Sequence, residues 1–225
     1  MTSHTTVAAN MQYRYFYPNR LGRIILQAMR LEMTPVQYLQ VLETARLVQF
    51  ADKLPVNNLN KEFPFEWVSA LQAASEDMFG VRGGRAINRT VGRQCLNTGL
   101  KEMAPVLGVA DLPLRLMPIG MKLRVGLDTF ASLFNRMTDQ VVQISEDDNH
   151  FHWVIERNPV CWGRKTTEPC CHLVVGILEE ALFWGTGGRR FSVEERMCTA
   201  TGSATCVFTI NKVPLEWAVQ LRQRA

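Results

Sequence analysis

Residues 193–210 read VEERMCTATGSATCVFTI, two strand-like segments joined by a turn of small residues. This pattern predicts a β-hairpin. Glu195 and Cys198 lie on the first strand, and Cys206 begins the second. Two interpretations follow from the residues alone. The cysteines fill the core beneath the sheet, since free cysteine is among the most buried residue types, or the three side chains converge with a fourth donor on a metal such as zinc.

Further strands and one helix come before this hairpin. The segments 140–146, QVVQISE, and 150–156, HFHWVIE, predict two strands joined by a turn at 146–149. Residues 172–184, HLVVGILEEALFW, predict a helix that crosses from this pair to the hairpin. The order strand, strand, helix, strand, strand indicates an antiparallel sheet.

The sequence upstream of residue 140 has helical periodicity. Thr34 and Pro35 fit an N-cap followed by proline, and predict a helix that runs to Leu54. Another helix is predicted over 63–79, before the glycines at 80, 83 and 84 interrupt the pattern. The fold class is therefore α+β, a helical N-terminal half packed on a C-terminal antiparallel sheet with one crossing helix.

Length and composition favour one globular domain. The chain has 225 residues, 47% hydrophobic and 20% charged. We expect a disordered tail over 1–10 and a single ligand-binding domain over 11–225, with a helical part at 18–139 and a sheet part at 140–213. The net charge of +4 does not indicate nucleic-acid binding. No apolar run is long enough for a transmembrane segment and no secretory signal is recognisable, so the expected location is cytoplasmic, with reduced thiols.

Residues 169–210 resemble the 4-vinyl-reductase domain family, a small-molecule-binding domain with a fold like the TRAPP trafficking subunits. The matching positions are Cys171, Gly176, Gly187 or Gly188, Val193, Glu195, Cys198, Gly202, Cys206 and Phe208. The segments YFYPNRLGRIIL, LPVNN, FGVRGGRAINRTVGR and NPVCWGR are similar to the longer bacterial members. The resemblance implies a TRAPP-subunit-like fold for most of the chain.

The resemblance also implies a metal site. Related sensory domains of aromatic-responsive transcription activators bind zinc through a cysteine, a glutamate and two more cysteines in this order. Carried over, the ligands are Cys171, Glu195, Cys198 and Cys206, with Cys170 as the alternative to Cys171. The family often has a first cysteine where this chain has Asn158, which argues against a second metal or an iron–sulfur cluster in that loop. Four protein ligands leave no open position, so the zinc is expected to be structural.

Aromatic and cationic side chains are the candidate ligand contacts. Phe151 and Trp153 share one face of the predicted strand 150–156, and Trp162 follows it. An arginine row that falls on one helix face is able to pair with carboxylates, such as the propionates of a tetrapyrrole. The row consists of Arg82, Arg85, Arg89 and Arg93. The alternative is that the aromatic residues are core and that the arginines are solvated or form salt bridges to Glu76 and Asp77.

The sequence predicts binding and not catalysis. A dinucleotide-binding glycine motif after a strand is absent, so no hydride source is visible for vinyl reduction. The resemblance implies a carrier or binding protein for a hydrophobic small molecule, with a tetrapyrrole, either a chlorophyll precursor or a bilin, as the preferred class. The alternatives are an aromatic-compound sensor that acts through a partner and a scaffold in an assembly. The resemblance further implies a homodimer and is compatible with peripheral association with a photosynthetic membrane or photosystem.

Overall fold

A computed structural model of the chain describes residues 14–107 and 117–217. The predicted tail at 1–10 lies outside the described residues. The helical half contains a short two-stranded sheet and four helices. In chain order these elements are β1 (Phe16–Pro18), α1 (Asn19–Glu32), α2 (Pro35–Thr44), β2 (Lys61–Pro64), α3 (Phe65–Leu107) and α4 (Ile119–Met137).

Helix α2 starts as the sequence predicts but ends earlier. The Thr34 hydroxyl accepts the backbone N–H of Gln37, and the Gln37 side chain accepts the N–H of Thr34, which forms a capping box. The helix stops at Thr44 because Arg46 adopts a left-handed conformation with φ of 58°. The N–H of Leu47 then bonds to the carbonyl of Leu42, as in a Schellman motif. The predicted continuation to residue 54 is therefore wrong.

Helix α3 begins later than predicted and is bent by glycine. Phe63 belongs to β2, where it pairs with Tyr17 of β1, so the helix starts only at Phe65. Gly80 has φ of 71° and ψ of 163°, a conformation that glycine adopts without steric strain. This residue divides α3 into two helical segments, in agreement with the glycine break in the sequence.

The C-terminal half is a four-stranded antiparallel sheet with the order β3-β4-β6-β5. Its elements are β3 (Val142–Glu146), β4 (His150–Ile155), α5 (His172–Gly185), β5 (Val193–Met197) and β6 (Cys206–Asn211). Trp153 of β4 pairs with Phe208 of β6, and Ile155 pairs with Cys206. All four side chains are buried. One face of the sheet therefore packs into the core, and the predicted α+β class with a crossing helix is confirmed.

Helices α3 and α5 approach each other closely because a glycine lies at each side of the contact. A Cβ on Gly176 would lie 1.9 Å from the carbonyl oxygen of Arg89, and a Cβ on Gly92 would lie 2.2 Å from that of Leu173. Any other residue would force the two backbones apart. This contact fixes α5 against α3 and so positions both ends of α5, which form the two sites described next.

Candidate functional site

Four buried cysteines form one cluster at the edge of the sheet. Cys161 ends a 3₁₀ turn at Pro159–Cys161, and Cys171 is the N-cap of α5. Cys198 follows β5 and Cys206 opens β6. The four Sγ atoms all lie within 4.8 Å of one another. Two turns, a helix start and a hairpin therefore bring their thiols to one point.

The spacing of these sulfurs matches a single tetrahedral metal ion. The Sγ–Sγ distances are 3.5 Å for Cys161 and Cys206, 3.7 Å for Cys171 and Cys198, and 4.0 Å for Cys198 and Cys206. Sulfurs bound at about 2.3 Å around one zinc ion are about 3.8 Å apart. The donor set is thus chemically and geometrically suited to a soft divalent cation such as zinc.

Polar groups around the cluster favour thiolate sulfur. The Asn158 side-chain amide donates to Sγ of Cys171 at 3.2 Å, and the backbone N–H of Thr199 donates to Sγ of Cys206 at 3.3 Å. Burial raises the pKa of Cys171 well above its usual value. A metal that replaces these protons would remove that penalty, since metal binding and thiol deprotonation are coupled.

Glu195 supports the cluster from outside the set of four. The carboxylate oxygen Oε2 accepts the backbone N–H of Cys171 at 2.7 Å, at the N-terminus of α5. The other oxygen, Oε1, is buried and has no partner among the described residues. Burial raises the pKa of this carboxyl to about 9. The structure therefore places Glu195 behind Cys171 and puts Cys161, which the family resemblance did not imply, in the fourth position.

An apolar cavity of about 220 Å³ lies between α1, α3, α4, α5 and the sheet. Trp153 of β4 lines it, and the rings of Phe130 and Phe134 pack against this indole at centroid distances of 5.5 and 6.2 Å. Gly99 of α3 and Gly126 of α4 also line the cavity, and a Cβ on either would meet no atom within 4 Å. These two glycines leave open space where side chains would otherwise fill the interior.

The cavity contains one buried polar group without a partner. Trp153 is only 1% exposed, and its indole Nε1 has no hydrogen-bond acceptor among the described residues. The Tyr17 hydroxyl, which also lines the cavity, is satisfied because it donates to Oε1 of Gln140 at 2.6 Å. A buried N–H without an acceptor costs about 1–3 kcal/mol. The cavity therefore offers a donor to whatever occupies it.

Residues 151–212 match the family model of the 4-vinyl-reductase domain. This segment belongs to that family. The match extends from β4 to the residue after β6 and includes all four cysteines of the cluster. The resemblance to the 4-vinyl-reductase domain family is thereby confirmed. No curated protein sequence matches the chain significantly.

Solved structures of H-NOX proteins share the fold of most of the chain. An H-NOX protein from S. oneidensis in the Fe(II)NO ligation state has 11% identity and a TM-score of 0.55, over 86% of this chain and 97% of its own. Unliganded Fe(II) H-NOX from K. algicida has 11% identity and a TM-score of 0.54, over 86% and 95%. A structure that probes heme distortion in the H-NOX family has 12% identity and a TM-score of 0.56, over 88% and 96%. At these identities the likeness shows the fold alone.

The predicted aromatic contacts divide between the cavity and the core. Of Phe151, Trp153 and Trp162, only Trp153 lines the cavity. Phe151 is buried on the same face of the sheet. Trp162 donates its indole N–H to Oε1 of Glu66 at 3.1 Å, and its ring packs edge-on against Phe65. Phe151 and Trp162 therefore have structural contacts within the chain.

The predicted arginine row faces carboxylates of the chain itself. Arg89 and Arg93 both pair with Glu179 of α5, the latter at 2.8 Å, and Arg85 pairs with Glu168 at 2.7 Å. None of these arginines, nor Arg82, lines the cavity. This placement differs from the predicted contact with a ligand carboxylate, because Glu179 lies on the face of α5 that packs against α3.

The remaining predicted cysteine, Cys170, is buried next to Cys171 but does not belong to the set of four. Sequence reasoning missed two groups of functional residues. Cys161 was visible in NPVCWGR, yet its approach to Cys206 depends on how the 3₁₀ turn docks on the hairpin. The cavity face of α4 had a signal too, since Gly126 interrupts an amphipathic helix without a turn to explain it.

Proposed function

We propose that the chain is a non-catalytic binding protein for an apolar small molecule held in the cavity beside Trp153. The observation that carries this proposal is the indole N–H of Trp153, buried at 1% exposure, unpartnered within the described chain and located at an open apolar cavity. A ligand with a hydrogen-bond acceptor would satisfy it. The 4-vinyl-reductase domain and the H-NOX-like fold support small-molecule binding or sensing in general.

The size of the cavity limits the enclosed part of the ligand. Its volume of about 220 Å³ is equivalent to about seven water molecules at ~30 Å³ each. This space suits one or two rings or a short alkyl chain and lies below the range of about 300–1,000 Å³ typical of drug-sized sites. A small aromatic or aliphatic compound is therefore the first candidate.

A tetrapyrrole is the second candidate, favoured by the shared fold, since one of the similar H-NOX structures is described by its heme distortion. Among the residues that the structure describes, the lining offers the Cys95 thiol as an axial ligand but no imidazole. The enclosed volume is smaller than a macrocycle requires, so α4 would have to move outward. Titration with hemin and with biliverdin separates the two candidates, because only bound pigment gives a shifted, protein-dependent absorption band.

The proposal is for binding without chemistry. Within the described chain, the cavity is lined by apolar side chains, hydroxyls, one amide, one thiol and two cations, and these do not form an acid–base pair. A zinc ion in the four-cysteine cluster would have all its positions filled by sulfur, so it would stabilise the fold and leave no site for a water nucleophile. The role as a sensor acting through a partner and the predicted homodimer both stay predictions.

None of the described helices is both long enough and apolar enough to cross a bilayer. The proposed ligand therefore binds within the α+β domain and not along a membrane-spanning helix. Peripheral association with a membrane remains a prediction.

A cavity-filling substitution tests the binding proposal. Gly126→Leu places a side chain in the cavity, and Gly120→Leu places the same side chain on the same helix away from it. We expect the neutral fluorophore N-phenyl-1-naphthylamine to bind wild type and the Gly120 variant alike. The Gly126 variant should bind at least about tenfold more weakly while its melting temperature is maintained. Equal binding by all three proteins would show that the cavity is not the site.

A further inference from the structure

The charged residues that line the apolar cavity are both cations. Lys122 and Arg136 lie on the cavity face of α4, and no carboxylate of the described chain reaches the lining. In the middle of an apolar wall, a balanced site would present both signs or neither. The sign of the charge at the margin of this cavity is therefore a property that a ligand would experience.

Lys122 is half-buried and has no carboxylate partner in the described part of the chain. Other half-buried cations are paired. Arg164 contacts Glu76 at 2.6 Å, and Arg93 contacts Glu179 at 2.8 Å. Arg124, two residues from Lys122, contacts Asp128 at 2.8 Å. A partly desolvated ammonium without a counter-charge is unusual in this molecule, which pairs most of its similarly placed cations.

A second, polar cleft of about 470 Å³ adjoins the apolar cavity at Lys122. Lys122 and Thr186 line both spaces, so they mark the boundary between them. Arg189 lines the cleft as well, and its guanidinium lies 4.9 Å from the centroid of the Trp217 ring. The acidic residue of the cleft, Glu216, accepts the backbone N–H of Arg190 at 3.3 Å.

Arg136 is too distant to share an anion with Lys122. The two residues are fourteen positions apart on α4, or about 21 Å along the helix axis at 1.5 Å per residue. Arg136 is also exposed to solvent, whereas Lys122 is half-buried and faces both the cavity and the cleft. The polar cleft on the Lys122 side therefore determines which end of the cavity receives a charged group.

We propose that the natural ligand is an anionic amphiphile, with its apolar body in the cavity and one acidic group, a carboxylate or a phosphate, at Lys122 in the polar cleft. This inference depends on the proposed binding function and adds the ligand's charge and orientation to it. Charge-assisted hydrogen bonds stabilise more than neutral ones, so the acidic group would add affinity as well as direction.

A matched pair of ligands tests the inference. Decanoate and decan-1-ol have the same chain and differ in the charge of the head group, and both are measured by displacement of N-phenyl-1-naphthylamine at pH 7.5. We expect wild type to prefer decanoate by about tenfold, the effect of one charge-assisted hydrogen bond. Lys122→Met should abolish the preference by weakening decanoate binding alone, while Arg136→Met, the matched control, should retain it. Decyl phosphate in place of decanoate distinguishes the two acidic groups.

The outcomes separate this inference from the proposed function. If wild type binds both ligands equally, or if the preference follows Arg136 instead of Lys122, the anionic head group at Lys122 is refuted while the cavity remains a binding site. If neither ligand displaces the fluorophore, the inference fails although the fluorophore still reports the cavity. If the fluorophore itself does not bind, both proposals fall. Circular dichroism melting of each variant confirms that it is folded.

Discussion

The Cα of Gly176 in α5 lies so close to the backbone of α3 that a Cβ there would approach the carbonyl oxygen of Arg89 to 1.9 Å. This approach brings Glu179, one turn later on α5, between Arg89 and Arg93. The ion pairs are thus a consequence of the glycine contact, since a longer separation of the helices would place the carboxylate out of reach.

Substitution of this glycine should destabilise the fold. Gly176→Ala forces α5 away from α3, and we expect the free energy of unfolding to fall by about 1–3 kcal/mol or more. Gly99→Ala on α3 is the control, because its Cβ meets no atom within 4 Å, and it should be neutral or stabilising by about 0.5–1 kcal/mol. Urea denaturation measures both. An unchanged midpoint for Gly176→Ala would contradict the close approach.

Two variants distinguish the possible fourth metal ligand. Cys161→Ser should lose zinc or bind it at least about tenfold more weakly, because it removes one of four sulfurs. Glu195→Gln should retain it, since the amide oxygen still accepts the N–H of Cys171. Cys95→Ser, at a buried thiol outside the cluster, is the control. Zinc per chain is measured by native mass spectrometry. Loss of zinc in Glu195→Gln with retention in Cys161→Ser would restore the ligand set implied by the family resemblance.

Replacing the unpartnered indole should change ligand selectivity. Trp153→Phe removes the N–H and keeps an aromatic side chain, so we expect acetophenone, which has an acceptor, to bind about tenfold more weakly. Ethylbenzene, of similar shape without an acceptor, should bind the variant and wild type alike. Displacement of the fluorophore measures both affinities. An equal loss for the two ligands would indicate altered packing instead of a lost hydrogen bond.

The turn between β3 and β4 should contribute a pH-dependent stability. The backbone N–H of Asn149 and the His152 ring, which both bond the Asp147 carboxylate, hold the pKa of this group below its usual range. A carboxylate with a depressed pKa stabilises the fold above its unfolded pKa of about 3.9, and this contribution is lost as the pH falls through the folded value. Asp147→Ala should therefore lower the melting temperature at pH 7 and have less effect below pH 3. Asp148→Ala is the control and should change little at either pH. A constant difference across this range would refute the electrostatic explanation.

Local signals in the sequence predict the elements that depend on neighbouring residues. The hairpin around Gly202, the Thr34 cap and the break at Gly80 all follow from turn, cap and glycine chemistry. The early end of α2 does not follow, because arginine is seldom found in the left-handed conformation that Arg46 adopts. That ending is imposed by the burial of Leu47 and Phe50 against the core.

The sites were less predictable because they are assembled from distant parts of the chain. Cys198 and Cys206 share a hairpin, so their proximity could be anticipated, whereas Cys161 is brought to them only by docking of its turn. The spacing of the arginine row predicts neighbours on a helix, but the partner Glu179 lies 86 positions beyond Arg93. The cavity depends on how α4 lies against α5, and helical periodicity does not determine that distance.

Helix α5 begins directly after Cys171 and, within its first two turns, presents Leu173 and Ile177 to the cavity. A guest molecule and a cation therefore push on the same rigid rod from its side and from its tip. Thermodynamic reciprocity makes any influence between them mutual: whatever loading of the sulfurs does to affinity for the guest, the guest does to affinity for the cation by the same factor. Such a chain is suited to reporting two cellular variables, metal supply and an apolar metabolite, through one moving part.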